Sequence, residues 1–267
     1  MLKSSELRKF HNNGYLKFQV TDKKFLRSVR CKFLETLKNK NLTINNIQKN
    51  YHKIFCNLKD HHKVQSHFQK YILDNKIHFK LIKNYNTYFS SILGLDICAT
   101  TSVNFRIVRP TKNIDNIGFH RDTDLGHTPY EVNVWVPLFS TNKNNSLHIL
   151  PETHKKKLNF FKFTKLKTGF KRRSKENAMG YLYRSFKFKN LKNNLLKPIK
   201  CDFGNILIFY SSCMHGTRNN NSKETRFSFD FNISNSFFPI KWTHHGKEKK
   251  YQKVLESNVS LNAKSII

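Results

Sequence analysis

Residues 118–122 read Gly-Phe-His-Arg-Asp, and within them His120 and Asp122 form the one His-x-Asp or His-x-Glu pair of the chain. On an extended backbone, side chains two apart point the same way, so an imidazole and a carboxylate would converge on one point and begin a metal site. With 13 His and 17 acidic residues, about one such pair is expected by chance, so the pair alone carries little. A further donor has to come from elsewhere, and residues 205–232 supply the setting. There a β-type run, Asn205 to Tyr210, leads into Ser211-Ser212-Cys213-Met214-His215-Gly216. Eleven residues after His215 comes Arg226, where Arg226 and Ser228 share one face of a strand and Phe227, Phe229 and Phe231 take the other. A guanidinium on a mostly apolar strand is costly unless paired, and its fork matches a carboxylate through two parallel hydrogen bonds. A dicarboxylate co-substrate is the partner this pattern asks for.

These residues need a frame. Ser4 to His11 reads as a short helix, Asn12-Asn13-Gly14 as a turn and Tyr15 to Val20 as an alternating strand. From Asp22 to Lys40, Phe25, Leu26, Val29, Phe33, Leu34 and Leu37 recur at three- and four-residue spacing. That spacing predicts an amphipathic helix, with Thr21 or Asp22 as its cap. The same period continues between Ile47 and Leu93. From Ile97 onward short β-type runs replace it: Ile97 to Val108, Glu131 to Phe139, Ser146 to Leu150, Gly180 to Phe188, Asn205 to Ser211 and Thr225 to Ile233. Several short strands separated by turn clusters predict a sandwich or barrel. Two of the runs place polar side chains on one face. Asn104 and Arg106 alternate against Val103, Phe105 and Ile107, and Asn133 and Trp135 alternate against Val132, Val134 and Val136.

The expected organisation is a single domain over 1–267. Residues 1–95 form a mainly helical support, 96–234 a β core with a Lys-rich excursion at 154–178, and 235–267 a tail too polar for a second domain. A net charge of +32 points to an anionic partner where it clusters, but here Lys and Arg run the whole length, as a solvated surface does. Five cysteines form no CxxC pair, which argues against a zinc knuckle and against a disulfide framework. No window approaches the run of apolar residues that a membrane span needs, and the expectation is a cytoplasmic protein.

The ordered set of segments resembles the iron(II)/2-oxoglutarate oxygenases, in particular the phytanoyl-CoA dioxygenase-like branch. Beyond the His-x-Asp, the distal His and Arg-x-Ser, the resemblance includes Phe10-His11-Asn12-Asn13-Gly14-Tyr15-Leu16 at the start and Val134-Trp135-Val136-Pro137-Leu138 in the middle. Ser146 to Lys155 is similar to that branch's strand ending in Pro-Gly-Ser-His-Lys, with Pro151-Glu152-Thr153 standing in place of Pro-Gly-Ser. The chain is also similar to the oxygenases of sporadic carbohydrate-biosynthesis clusters. The resemblance runs from about residue 7 to 233 and implies an α+β, mainly β fold: a double-stranded β-helix (jelly roll, cupin-like) with helices packed on it.

It further implies that His120, Asp122 and His215 hold Fe(II) and are the catalytic centre. Arg226 and Ser228 would bind the distal carboxylate of 2-oxoglutarate, with Asn104, Arg106 and Asn133 as further candidates around that co-substrate. Dioxygen is the third reactant, and the intact Asp122 argues against a halogenase. The activity implied is oxidation of a C–H bond in a small metabolite, anionic or carbohydrate-linked. Two other functions compete. Nucleic-acid demethylation would suit the charge, but the second Arg of those enzymes is replaced by Asn232. A non-catalytic jelly-roll protein binding carbohydrate or nucleic acid would be expected to have lost at least one of the ligands. His127, His148 and His154 are weaker candidates: the resemblance would turn His154 toward substrate, while its place beside Lys155 to Lys157 reads as surface, and Arg109, Arg121, Lys143 and the Lys171-Arg172-Arg173 cluster could clamp an anionic group.

Overall fold

Buried residues spaced three or four apart define the helices, and alternation defines the strands. The computed structural model describes residues 1–37, 41–156, 163–164, 187–188, 195–238, 243–244, 247–248 and 251–266. Helix α1 (Ser4–Asn13) runs into Gly14, whose φ of 85° lets its N–H return to the Phe10 carbonyl at 2.8 Å. A side chain at Gly14 would also strike His154 Nδ1 and lie 2.9 Å from Cys213 Sγ. Strand β1 (Tyr15–Gln19) follows, then α2 (Lys24–Leu37), which buries Leu26, Val29, Phe33 and Leu37 along one stripe. After α3 (Ile47–Ile54), α4 (Leu58–Asp74) starts at Asn57, whose side chain accepts from the Lys59 N–H at 2.7 Å. It buries His61, Gln65, Phe68 and Ile72. Helices α5 (Ile77–Asn84) and α6 (Asn86–Leu93) complete the support.

The run expected as one strand from Ile97 to Val108 is two, β2 (Ile97–Thr100) and β3 (Asn104–Val108). Thr100 Oγ1 donates to the Ser102 carbonyl at 2.9 Å, a local hydrogen bond that competes with the ladder and breaks it. Further on lie β4 (Val132–Pro137), β5 (Leu147–Leu150), β6 (Phe163–Thr164), β7 (Lys187–Phe188), β8 (Lys197–Ile199), β9 (Asn205–Tyr210), β10 (Met214–Gly216) and β11 (Arg226–Asn235). The segment expected as a polar tail supplies β12 (Thr243–His244), β13 (Lys247–Glu248), β14 (Tyr251–Leu255) and helix α7 (Asn258–Ile266). Apart from β6 and β7, the Lys-rich excursion beyond residue 156 and the run expected at 180–188 lie outside the described residues.

The larger sheet has the order β1-β9-β4-β11-β2-β14, with β3 joining β11 beside β2. The smaller is β10-β5-β8, and every pairing in both is antiparallel. One face of the larger sheet carries Val132, Val134, Val136, Ile206, Ile208, Phe227, Phe229 and Phe231 into the core shared with the helices. Its other face turns Trp135, Leu207 and Phe209 toward Leu147, Ile149 and Ile199 of the smaller sheet. Two sheets closed over this second cluster make the jelly roll, and its polar inward positions carry the site.

The turn that replaces Pro-Gly-Ser shows why a glycine suits it. Glu152 adopts φ 64°, ψ 0°, a left-handed conformation that costs a side-chain-bearing residue free energy. It is held there by its N–H, which donates to the Asn13 carbonyl at 2.9 Å.

Candidate functional site

His215 lies on β10 opposite Ile149 of β5. His120 joins it through a single bridge in which each backbone N–H donates to the other's carbonyl at 2.9 Å. That bridge sets the two imidazoles side by side, with ring centroids 4.4 Å apart. The expected strand carrying both His120 and Asp122 is corrected by the structure. Pairing ends at the bridge, and Asp122 begins a 3-10 turn, Asp122–Leu125. The Asp122 N–H donates to the Ser211 carbonyl at 2.8 Å, so a turn pinned to the loop before His215 delivers the carboxylate.

Among the described residues, His120, Asp122 and His215 are the one group of His, Cys, Asp or Glu whose ligand atoms all lie within 4.8 Å of one another. Nδ1 of His120 lies 2.8 Å from the Gly118 carbonyl and Nδ1 of His215 lies 2.9 Å from that of Cys213. A carbonyl only accepts, so both rings carry their proton on Nδ1 and offer Nε2. Those Nε2 atoms stand 3.3 and 3.9 Å from Asp122 Oδ1. Burial pushes His215 down to about 4, with His120 adding to the effect and Asp122 opposing it. For Asp122, burial alone would raise the carboxyl. His127, His215 and His120 outweigh it and hold the group well below the ordinary carboxylate range. Two imidazole nitrogens and one ionised carboxylate, each residue only 7% exposed, form the donor set that suits iron(II) and leaves positions for exchangeable ligands.

A second constellation sits on inward positions of β11 and β4. Arg226 is 1% exposed. Its Nη1 donates to the Asn145 carbonyl at 3.1 Å, and its guanidinium carbon lies 5.9 Å from the Trp135 ring centre. Ser228 Oγ, Trp135 Nε1 and Ser146 Oγ are buried and have no hydrogen-bond partner among the described residues. Buried donors in that state cost free energy, so they mark a place for a polar ligand. A guanidinium beside hydroxyl and indole donors fits a carboxylate.

Asn104 and Arg106, expected around 2-oxoglutarate, turn instead onto a carboxylate of the chain itself. Asn104 Nδ2 donates to Asp230 Oδ2 at 2.9 Å, Arg106 Nη2 to the same oxygen at 3.1 Å, and Arg106 Nε to Oδ1. Asn133, expected there too, stands behind the metal site, its Nδ2 donating to Asp122 Oδ2 at 2.7 Å. Asp230 is not among the residues the sequence singles out, and Asn232 stands there only in place of a demethylase arginine. Their signal was present, because Arg226, Ser228, Asp230 and Asn232 alternate with Phe227, Phe229 and Phe231.

The remaining candidates have structural partners. Arg109, buried, clamps Asp115 at 2.8 Å and reaches the Phe55 and Cys56 carbonyls, while Arg121, also buried, pairs with Asp124 at 2.7 Å. His127 pairs with Glu131 at 2.8 Å, and Glu131 also accepts from Tyr251 of β14. His154 Nε2 donates to the His11 carbonyl and its ring stacks on Tyr210, so it ties the turn to α1. Lys143 is exposed, and Lys171 to Arg173 lie outside the described residues. The five cysteines are free thiols, and no described helix is long and apolar enough to cross a membrane.

Two histidines and an aspartate brought together on a jelly roll form the kind of donor set that non-haem metal oxygenases use. The chain belongs to the phytanoyl-CoA dioxygenase (PhyH) family, whose description matches residues 10–228. It is an Fe(II)/2-oxoglutarate-dependent oxygenase, and its cofactor and co-substrate are iron and 2-oxoglutarate. Solved structures of similar shape include EvdO2 from Micromonospora carbonacea var. aurantiaca complexed with 2-oxoglutarate. Its TM-score is 0.56 at 10% identity, over 97% of this chain and 95% of that one. The non-heme monooxygenase ThoJ in its apo form gives 0.55 at 14%, over 95% and 85%. HygX from Streptomyces hygroscopicus with nickel and 2-oxoglutarate bound gives 0.52 at 14%, over 95% and 98%. At these identities the likeness is one of fold. No curated protein matches the chain.

Proposed function

We propose that the protein hydroxylates a C–H bond of a small polar metabolite, a sugar or sugar conjugate, with His120, Asp122 and His215 as its iron ligands. The observation that carries this reading is the buried His-Asp-His group with both Nε2 atoms turned toward one carboxylate oxygen. Iron(II) with 2-oxoglutarate and dioxygen supplies the oxidation, in which 2-oxoglutarate becomes succinate and carbon dioxide. The chain's own residues bind and orient. Arg226 takes the distal carboxylate of 2-oxoglutarate, and Ser228 Oγ and Trp135 Nε1, buried and without other partners, donate to it. EvdO2 complexed with 2-oxoglutarate and HygX with nickel and 2-oxoglutarate bound support the co-substrate itself, as proteins of the same fold that bind it. On the same sheet face, the Arg106 and Asp230 side chains keep 17% and 14% of their surface open. They and Asn104 offer charged and polar groups to the hydroxyls of a substrate. The whole chain acts as one domain in this reading, with residues 1–95 buttressing the core at 96–234.

The test is succinate release from 2-oxoglutarate by purified protein with iron(II) and ascorbate, screened against sugars, nucleotide sugars and acyl thioesters. Release stimulated by a sugar or nucleotide sugar and abolished by Asp122→Ala is expected. No release, or equal release from the variant, overturns the enzyme assignment. Stimulation by acyl thioesters alone overturns the substrate class.

A further inference from the structure

We propose that Asn133, held in place by Asn232, is a positioning residue that makes Asp122 a one-armed metal ligand; the inference rests on reading His120, Asp122 and His215 as the iron site. A carboxylate offers two oxygens, and a second bond from Asp122 would take a position that the co-substrate or dioxygen needs. The two oxygens of Asp122 have different surroundings. Oδ1 faces the Nε2 atoms of His120 and His215 at 3.3 and 3.9 Å, whereas Oδ2 accepts from Asn133 Nδ2 at 2.7 Å. An amide donor on Oδ2 lowers that oxygen's ability to bind metal and fixes the plane of the carboxylate.

An asparagine side chain does this only if its nitrogen end is the one facing Asp122. Asn232 settles the matter, because its Nδ2 donates to Asn133 Oδ1 at 2.7 Å. Turning Asn133 over would set oxygen against Asp122 and nitrogen against nitrogen, with both amides buried at 6% and 7% exposure. The two asparagines are direct partners in the register of β4 and β11. The Asn232 backbone N–H donates in turn to Thr100 Oγ1 at 3.3 Å. Three strands therefore meet behind one ligand, and sheet register presents Asp122 Oδ1 to the site.

Cobalt(II) titration of the folded protein tests this, with affinity read by calorimetry and coordination by the visible absorption of the bound ion. The proteins compared are wild type, Asp122→Ala, Asn133→Ala, Asn232→Ala and the Asn133→Ala/Asn232→Ala double variant. Wild type is expected to bind one cobalt ion, and Asp122→Ala to lose it. Asn133→Ala should weaken binding by about 10- to 100-fold, the usual range for a hydrogen-bond partner of a metal ligand, and change the cobalt spectrum. Asn232→Ala should shift both readouts the same way by less. The double variant should be no worse than Asn133→Ala, because one asparagine acts through the other. Wild-type affinity and spectrum in both single variants would overturn the positioning role and leave the iron site standing, and additive losses in the double variant would overturn the relay. Failure of wild type to bind cobalt, or undiminished binding by Asp122→Ala, would overturn the iron site itself. Circular dichroism checks folding, and if Asn133→Ala does not fold, Asn232→Ala alone decides.

Discussion

Arg226→Met tests the proposed contact between the chain and the far end of its co-substrate. The guanidinium is 1% exposed and stands beside buried Ser228 Oγ and Trp135 Nε1, so a carboxylate placed there is shielded from water. Removing one partner of a buried, hydrogen-bonded charge pair costs about 3–5 kcal/mol. At 1.4 kcal/mol per decade this weakens 2-oxoglutarate binding by about two to three and a half orders of magnitude. Arg226→Lys keeps the charge but not the fork, and losing one charge-assisted hydrogen bond of about 1.5–3 kcal/mol weakens binding by roughly 10- to 150-fold. Calorimetry on nickel-loaded protein measures both. The control ligand is 2-oxopentanoate, which has a methyl group where 2-oxoglutarate has its distal carboxylate. Wild type should strongly prefer 2-oxoglutarate, and Arg226→Met should bind the two nearly alike while its nickel affinity stays close to wild type. A melting curve accounts for the lost Asn145 bond and the packing on Trp135. If Arg226→Met still prefers 2-oxoglutarate as strongly as wild type does, the distal carboxylate is held elsewhere and the assignment is wrong.

Gly216→Ala would place a methyl 2.7 Å from Phe119 Cα and 2.9 Å from its nitrogen. It should cost about 1–3 kcal/mol in chemical denaturation and weaken metal binding by disturbing the neighbouring His120–His215 bridge. Glu152→Gly relieves the left-handed backbone at that turn and should raise stability by about 1 kcal/mol, seen as a higher melting temperature. His78 is 2% exposed, its Nε2 donates to the Thr100 carbonyl, and burial pushes it down to about 4. Its folded value lies below the unfolded value near 6.5, so the unfolded chain binds more protons between them. Stability is therefore complete above pH 6.5 and falls with pH toward 4, by about 2 kcal/mol between pH 7 and 5. Urea unfolding of His78→Gln should show a flatter dependence over that window. Buried His61, pushed down to about 3 by burial, keeps a slope of the same sign.

That His120, Asp122 and His215 come together was legible because their residue types are distinctive and their order along the chain is too. Less legible was what depends on pairing between distant segments. Asn133 alternates with valines, which places it on a polar face, but only the register of β4 against β11 sets it opposite Asn232 and behind Asp122. Arg106 looked like an anion binder until Asp230, 124 residues away, emerged as its partner. Asp122 sits in a 3-10 turn and not on the extended backbone that the His-x-Asp spacing predicts. The chain leaves the ladder after His120, and the Ser211 carbonyl that receives the Asp122 N–H belongs to another strand's end. Part of the edge of the larger sheet was missed because β14 is short and polar on its open side, and hydropathy does not separate such an edge strand from a tail.

The helices and the site are coupled through the phase of one strand. β11 turns Arg226, Ser228, Asp230 and Asn232 to one side, and Phe227, Phe229 and Phe231 to the other. A slip of one residue would exchange the two sets, placing rings where the co-substrate anchor and the brace for Asp122 belong. Phe227 opposes such a slip. It packs against Phe33 of α2 and Tyr51 of α3, both at 5.1 Å, and Phe139 at 5.4 Å. Phe105 of β3, the register partner of Phe229, meets Phe33 and Phe68 at 5.2 and 4.8 Å. Those aromatic contacts lie on the face away from the metal centre and touch none of its ligands. Their contribution is to hold β11 in the one register in which Arg226 and Ser228 share the inward face and Asn232 reaches Asn133.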